Sequence, residues 1–227
     1  MSYLPGFLFF VLGAVVGSFL NVVILRYGTG RGFFGRSACF SCWRKLSWFE
    51  LAPIFSFLFL RGRCRHCDSR VSWQYPLVEF LAGIIFLATF WKFPDVLASG
   101  ALRLALILSF LYYLAVFSLL IVIAVYDLRH KIIPDGPVYA FACTALIFLF
   151  LTHPPIEFFR SPAVFDLLAG PLAALPFFFL WFFSGGRWMG LGDAKLALGL
   201  GWFLGLTGVL FSHLDAKRLN SYRGYPH

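Results

Sequence analysis

An aspartate stands at the entrance of an apolar segment near the end of the chain. Asp193 follows two glycines in the stretch 189–196, Met-Gly-Leu-Gly-Asp-Ala-Lys-Leu, and the apolar run continues to residue 211. A carboxylate in a membrane segment costs about 2.5 to 3.5 kcal/mol at mid-helix, so we expect it to have a function and a partner. Asp127 ends another long apolar segment and is the partner that the sequence favours. The two residues suggest a pair of cooperating aspartates.

Such a pair can hydrolyse a peptide. Two carboxylates sharing one site cannot both ionise easily, so one acts as base toward water while the other keeps a proton for the leaving amine. Gly190 and Gly192 would let the backbone approach a substrate or a facing helix closely. Lys195 would raise the positive potential and favour an ionised carboxylate. The competing interpretation is that each aspartate is simply solvated at the membrane interface.

Four of the five cysteines form two Cys-x-x-Cys pairs in one loop. Cys39 and Cys42 are separated from Cys64 and Cys67 by 21 residues, close to the spacing of a four-thiolate zinc site. Because four protein ligands leave no open position for water, the zinc would be structural. Redox chemistry and free thiols are the alternatives, although a reducing cytoplasm disfavours disulfides.

The composition indicates a polytopic membrane protein. Hydrophobic residues make up 60% of the chain and charged residues 13%, against roughly 25% charged in a soluble domain. We predict an all-α fold with about six transmembrane helices and a cytoplasmic loop with a four-cysteine zinc site. The predicted parts are a first transmembrane helix at 1–26, the loop at 27–75, a multi-helix membrane domain at 76–211 and a polar, disordered tail at 212–227.

The distribution of positive charge predicts the orientation. Eight of the 19 Lys and Arg residues lie in residues 27–75, and positive residues in short loops stay on the cytoplasmic side. We therefore predict an external N-terminus, with the loop and both Asp127 and Asp193 at the cytoplasmic side. This concentration of positive charge in one loop argues against nucleic acid as the partner of a chain with net charge +9.

Several residues within predicted helices have roles that the sequence leaves open. Gly13 and Gly17 share a helix face and predict close helix packing. Ser18 and Asn21 would either form hydrogen bonds across helices or line a groove. Glu79 lies near a helix N-terminus, where the macrodipole favours a carboxylate; the alternative is a polar contact to the site or to a cofactor.

The motifs and their order resemble type IV prepilin peptidases, the prepilin leader peptidase/N-methyltransferase family of Gly-x-Gly-Asp aspartic proteases. The matching motifs are Gly17-Ser-Phe-Leu-Asn-Val-Val-Ile-Leu-Arg26, the two cysteine pairs, Leu46-Ser-Trp-Phe-Glu-Leu-Ala-Pro-Ile-Phe-Ser56, Tyr75-Pro-Leu-Val-Glu79, Asp127 with Ile133-Pro134, and Gly190-Leu-Gly-Asp-Ala-Lys195. The resemblance implies that Asp127 and Asp193 are catalytic and that Cys39, Cys42, Cys64 and Cys67 bind zinc. Gly190, Gly192, Lys195 and Glu79 match positions that would support the site.

The resemblance also implies an activity and a location. It predicts a multi-pass enzyme of the bacterial inner membrane that removes the leader of type IV prepilins or pseudopilins after a glycine on the cytoplasmic side. Methylation of the new N-terminus with S-adenosylmethionine would follow. Prepilins or pseudopilins and membrane lipid would be its partners. Family chains usually continue with further membrane span, so the C-terminus looks shortened, and the alternative is a catalytically impaired or scaffold homologue in pilus or secretion assembly.

Two further functions compete with this interpretation. A proton or cation transporter would use Asp127, Asp193 and Glu79, but transport sites tend to lie near the bilayer midplane on broken helices, whereas the two aspartates fall at helix ends. A methyltransferase without peptidase activity would not need the aspartate pair. A scaffold protein would keep its function when both aspartates are replaced.

Overall fold

The computed structural model describes residues 3–30, 32, 35–93, 96, 103–152 and 161–211. These residues form helices and no strand, which confirms the predicted all-α class. The α-helices are α1 Tyr3–Arg26, α2 Phe55–Phe59, α3 Gln74–Lys92, α4 Arg103–His130, α5 Asp135–Thr152, α6 Ser161–Ser184 and α7 Leu191–Phe211, and a 3-10 helix, Trp48–Leu51, precedes α2. The predicted tail at 212–227 lies outside the described residues.

Five of the described helices are long and apolar enough to cross a bilayer, which needs about 20 residues. The candidate spans are Leu4–Arg26, Gln74–Lys92, Leu104–His130, Asp135–Thr152 and Val164–Ser184. The polytopic class is therefore confirmed. The sixth predicted span corresponds to α7, which has a positive φ of 67° at Gly205 and is not among these five; its span stays a prediction.

The chain divides into two compact units, and the first is Met1–His130. Its helices α1 and α3 pack closely because glycines remove side chains from the contact. A Cβ placed on Gly13 would lie 2.7 Å from the Cβ of Phe86, and one on Gly17 would lie 2.8 Å from the Cα of Glu79. The predicted packing role of both glycines is thus confirmed. The buried core of this unit includes Leu20, Ile24, Val78, Ala82, Ile121 and Val122.

The second unit is Lys131–His227, in which α7 packs against α5 and α6. A Cβ on Gly199 would lie 2.7 Å from the ring of Phe141 in α5. On the α6 side, the Trp202 indole N–H donates to the backbone oxygen of Leu167 at 2.9 Å. These contacts hold the middle of α7 against its neighbours and thereby help to position the residues of its first turn.

Candidate active site and metal centre

Asp193 lies in the first turn of α7, which begins at Leu191. The N–H groups of a first helical turn have no partners within the helix, and together with the helix dipole they attract negative charge. The side chain is half-buried. The fold therefore presents this carboxylate at a helix end, partly accessible from outside the helix packing.

The two glycines of the motif differ in their surroundings. A Cβ on Gly192 would lie 2.8 Å from the Cβ of Ile133, which precedes α5, so this contact requires a glycine. A Cβ on Gly190 would meet its nearest atoms, in Gly192 and Asp193, at 3.9 and 4.0 Å, which is ordinary van der Waals contact. The expected close approach to a neighbouring segment is therefore present at Gly192, through Ile133.

Lys195 forms an ion pair that joins the N-termini of α5 and α7. Its Nζ lies 2.7 Å from Oδ1 of Asp135 and 5.1 Å from the centre of the Tyr139 ring. The sequence pattern did not indicate this pair, because the two residues are 60 positions apart. Together with the contact of Gly192 and Ile133, it fastens the start of α5 to the turn that carries Asp193.

Asp127 lies in the last turn of α4 and is half-buried. Its neighbours in the chain connect this turn to other helices of the first unit. The ring of Tyr126 packs edge-on against Tyr27, 5.4 Å between centroids, and Arg129 donates to Oε1 of Gln74 at 3.3 Å. The end of α4 is thus tied to the end of α1 and the start of α3. That Asp127 and Asp193 share one site stays a prediction.

Glu79 is buried in α3 and bonds to the cysteine-bearing loop. Its Oε2 accepts the backbone N–H of Ile54 at 2.7 Å, and the Ser18 hydroxyl donates to the same carboxylate. The first turn of α3 contains no acidic residue, so Glu79 lies beyond the reach of the helix N-terminus. Of the two alternatives for this residue, the structure favours a polar contact, and the contact is with the loop.

Asn21 is fully buried between α1 and α3 and forms a hydrogen bond across the helices. Its Nδ2 donates to the backbone oxygen of Tyr75 at 3.2 Å and to that of Gly17 at 3.3 Å. Of the two possibilities for Asn21, the cross-helix hydrogen bond is the one observed. An amide within an apolar helix was the signal for this contact, although the sequence did not identify the acceptor.

The two cysteine pairs adopt matching turns. In the first turn, the N–H of Cys39 donates to Arg44 O at 3.0 Å and Trp43 N–H donates to Cys39 O at 2.9 Å. The second turn repeats this pattern: Cys64 N–H donates to Ser69 O at 2.8 Å, and Asp68 N–H donates to Cys64 O at 3.0 Å. The residues on either side of each turn form an isolated β-bridge, Ala38 with Lys45 and Arg63 with Arg70.

The four sulfur atoms converge as a metal site requires. Those of Cys39, Cys42, Cys64 and Cys67 all lie within 4.8 Å of one another, and the Sγ atoms of Cys39 and Cys67 are 3.7 Å apart. Four thiolates at the usual zinc–sulfur distance of about 2.3 Å would be about 3.8 Å apart at tetrahedral geometry. The cluster can therefore hold a metal ion, and its geometry and thiol chemistry fit zinc.

Hydrogen bonds adjust the thiols of this cluster unequally. The Cys42 backbone N–H is the main cause that lowers the pKa of Cys39 to about 6, and the Ser69 hydroxyl is the main cause that lowers the pKa of Cys67. The Arg44 backbone N–H lowers the pKa of Cys42, but desolvation and the neighbouring thiols outweigh it and raise that pKa to about 11. Because the thiolate is the metal ligand, the loop favours the ligand form at Cys39 and Cys67.

Two family models match the chain. Residues 11–93 match the bacterial peptidase A24 N-terminal domain, and residues 114–216 match the type IV leader peptidase family. The first match includes the cysteine loop and Glu79, and the second includes both Asp127 and Asp193. No solved structure matches the chain significantly.

Curated relatives extend the similarity over most of the chain. A prepilin leader peptidase/N-methyltransferase of Klebsiella pneumoniae is 33% identical over 213 residues, which cover 89% of this chain and 86% of the relative. A protein of the same name from Vibrio cholerae is 29% identical over 223 residues, 94% of this chain and 83% of the relative. An Escherichia coli type 4 prepilin-like proteins leader peptide-processing enzyme is 32% identical over 216 residues, 85% of this chain and 74% of the relative.

Proposed function

Because the chain belongs to the type IV leader peptidase family, we propose that it is a membrane aspartic endopeptidase that removes the leader peptides of type IV prepilins or pseudopilins. The observation that carries this proposal is the pair of family matches, which follow each other along the chain at residues 11–93 and 114–216. The five candidate membrane spans fit an inner-membrane, multi-pass enzyme.

In this proposal Asp127 and Asp193 perform the hydrolysis together. The ionised carboxylate removes a proton from water, and the water oxygen bonds to the scissile carbonyl carbon. The protonated carboxyl group first donates a hydrogen bond to the carbonyl oxygen and then transfers its proton to the leaving amine as the carbon–nitrogen bond breaks. The positions of both residues in terminal helical turns, each half-buried, support this assignment.

We assign supporting roles around Asp193 from the described contacts. Gly192 allows Ile133 to approach the first turn of α7, and Lys195 ties that turn to Asp135. Both contacts fix the backbone direction from which the Asp193 side chain extends. Positioning of this kind matters because a displacement of about 1 Å can cost roughly 100-fold in rate.

We further propose that cleavage follows a glycine and takes place at the cytoplasmic side. The concentration of Lys and Arg in residues 27–75 supports a cytoplasmic loop. The loop would hold zinc through its four cysteines as a structural ion that stabilises the fold of the two turns. We also propose methylation of the new N-terminus, supported by the N-methyltransferase part of the relatives' names, with S-adenosylmethionine as the donor of the methyl group.

Leader cleavage in membranes containing the full chain tests the aspartate assignment. The substrate would be a prepilin-type peptide with a basic leader, a glycine and an apolar stem. Asp127→Asn and Asp193→Asn remove one carboxylate each while keeping a similar shape, so we expect each to lower cleavage by at least about 1,000-fold, as with catalytic groups that act as a unit. The matched control is Asp166→Asn in α6, which should cleave nearly as fast as the unchanged chain.

The result should be accompanied by a check that the variants fold. Helix content and bound zinc should be unchanged in both asparagine variants, since the cysteine loop lies elsewhere in the sequence. Substantial cleavage by either variant would contradict the proposed pair. An unchanged chain that folds, binds zinc and leaves the substrate intact would instead favour the scaffold alternative.

A further inference from the structure

The loop between α1 and α3 exposes a set of large apolar side chains. We call them the aromatic face: Trp48, Phe49, Leu51, Phe55, Leu58 and Phe59. Phe55, Leu58 and Phe59 have the i, i+3, i+4 spacing that places side chains on one side of a helix. The two most exposed members are Trp48 and Phe59, at 82% and 84%. Such exposure on a contiguous segment indicates a surface with a partner.

The opposite side of α2 anchors this face to the loop. The ring of Phe57 packs against Trp73 with 4.7 Å between centroids, and Gly62 lies so close that an added Cβ would be 2.9 Å from the Phe57 ring. One aromatic residue of the short helix is therefore used for packing, while its neighbours on the other side are directed outward. The outward-facing side chains of α2 are therefore held in place by the packing of Phe57.

A buried carboxylate and a strained turn fix the start of α2. Ile54 has φ 62° and ψ −51°, and Phe55 N–H donates to Pro53 O at 2.5 Å, which together make a tight γ-turn. A β-branched residue rarely adopts positive φ, and such strain persists only where the surroundings enforce it. Glu79 supplies that enforcement by accepting the N–H of Ile54. The orientation of the aromatic face is thus determined from within the membrane helix α3.

The loop that carries this face is strongly positive, and Arg65 lies over the ring of Phe49. Residues 27–75 contain eight Lys and Arg but only two acidic residues, Glu50 and Asp68. Glu50 accepts hydrogen bonds from Ser47, and Asp68 pairs with Arg63 at 2.6 Å. Both acids therefore have partners within the loop. A surface that combines exposed aromatic residues with excess positive charge complements an anionic bilayer surface.

The ends of the loop keep it close to a membrane. The loop leaves one candidate span at Arg26 and enters the next at Gln74, so both attachment points lie at span ends. We propose that the aromatic face inserts into the headgroup region of a bilayer rich in anionic phospholipid, with the surrounding Lys and Arg residues contacting the phosphates. The Glu79 contact with Ile54 sets the angle at which the face meets the lipid.

Photo-crosslinking of the full chain in liposomes tests this proposal. A small diazirine analogue of phenylalanine would replace either Phe59 or Phe57, which differ in the side of α2 that they occupy. We expect Phe59 to label phospholipid and Phe57 to label protein instead. Lipid labelling from Phe59 should be at least about threefold stronger in phosphatidylglycerol-containing liposomes than in pure phosphatidylcholine, because nearby Lys and Arg residues are attracted to an anionic surface.

Two outcomes of the crosslinking would overturn the proposal. Label found on residues 131–227, or on a second copy of the chain, in place of lipid would show that protein covers the face. Equal lipid labelling in the two kinds of liposome would exclude an anionic partner. Bound zinc, measured in both substituted chains, must match the unchanged chain, so that the labelling reports on a folded loop.

Discussion

The cysteine loop and the N-terminus of α7 depend on the sequence in different ways. Within the loop, each cysteine pair is closed by backbone hydrogen bonds between residues no more than a few positions apart. The first turn of α7 depends on Ile133 and on Asp135, which lies 60 positions before Lys195. Each half of the metal cluster is therefore a local property, although the two halves meet across 28 positions, whereas the setting of Asp193 is tertiary. We expect changes in one region to spare the other.

Among the changes that separate the two regions, the largest effect is expected on metal binding when a ligand is removed. Cys64→Ser takes away the buried cysteine of the cluster and should weaken zinc binding by more than about 100-fold, beyond the roughly 10- to 100-fold loss caused by removing a ligand's hydrogen-bond partner. Competition with a chromogenic chelator measures this affinity. Leader cleavage should fall by less than about tenfold, since a closed four-ligand site activates no water.

The remaining cysteine provides the control for this experiment. Cys143 lies outside the cluster in α5, so Cys143→Ser should keep the zinc affinity of the unchanged chain. Elemental analysis should find about one zinc per unchanged chain. Less than about half an equivalent of zinc in protein purified without chelators would contradict the zinc assignment. A loss of cleavage in Cys64→Ser equal to that of Asp193→Asn would contradict the separation of the two regions.

Gly192→Ala is expected to do the opposite of Cys64→Ser: it should impair cleavage and spare zinc binding. The new Cβ would lie 2.8 Å from Ile133, so the first turn of α7 must shift. Overpacking costs about 1 to 3 kcal/mol, and a displaced Asp193 should lower kcat/KM for leader cleavage by about 10- to 100-fold. Zinc affinity should be unchanged.

Gly190→Ala is the matched control, because it adds the same methyl group two residues away. Its nearest atoms are at 3.9 Å, and Gly190 is not among the described glycines with positive φ. We expect it to change cleavage by less than about threefold, as is typical of a substitution that disturbs no packing. Equal losses from Gly190→Ala and Gly192→Ala would mean that substrate contact, and not the packing on Ile133, sets the requirement for glycine.

This contrast also explains what the sequence could predict. The cysteine spacing predicted a cluster that the structure confirms, because the ligands of each pair are brought together by local turns. Apolar segment length predicted the helices, and the motif order predicted the family. The partners of Lys195 and Glu79 could not be predicted, since Asp135 and the Ile54 N–H reach them only through helix packing.

A smaller effect should reveal what Lys195 does. If its role is the ion pair, Lys195→Gln and Asp135→Asn should each reduce cleavage by about two- to fivefold, the effect of a partly exposed pair worth about 0.2 to 1 kcal/mol, and the double variant should lose no more. The sequence suggested another role, an effect on the charge of Asp193. In that case Lys195→Gln would cost far more than Asp135→Asn and would move the pH–rate profile, whereas Asp135→Asn would leave the profile in place.

The smallest expected effect on cleavage comes from Glu50, which contributes to the stability of the loop itself with a defined pH dependence. The Ser47 hydroxyl and then the Ser47 backbone N–H hold the pKa of Glu50 below its ordinary 4.5. Because the folded pKa is lowered, the stability that Glu50 contributes is fully present above about pH 4.5 and is lost as the pH falls through the lower folded value. Glu50→Gln should therefore lower the hydrogen-exchange protection of the Ser47 amide by about two- to fivefold at pH 7, as expected for a weak helix cap.

The difference in Ser47 amide protection between the Glu50→Gln chain and the unchanged chain should disappear in acid. Zinc is released from both as the thiolates take up protons, so comparing the chains at each pH isolates the contribution of Glu50. Cleavage at pH 7 should remain nearly unchanged in Glu50→Gln, because this capping contact lies entirely within the loop. A difference in Ser47 protection that stayed constant down to pH 3 would show that the carboxylate charge contributes nothing. A large loss of cleavage would show instead that the loop and the peptidase site are coupled.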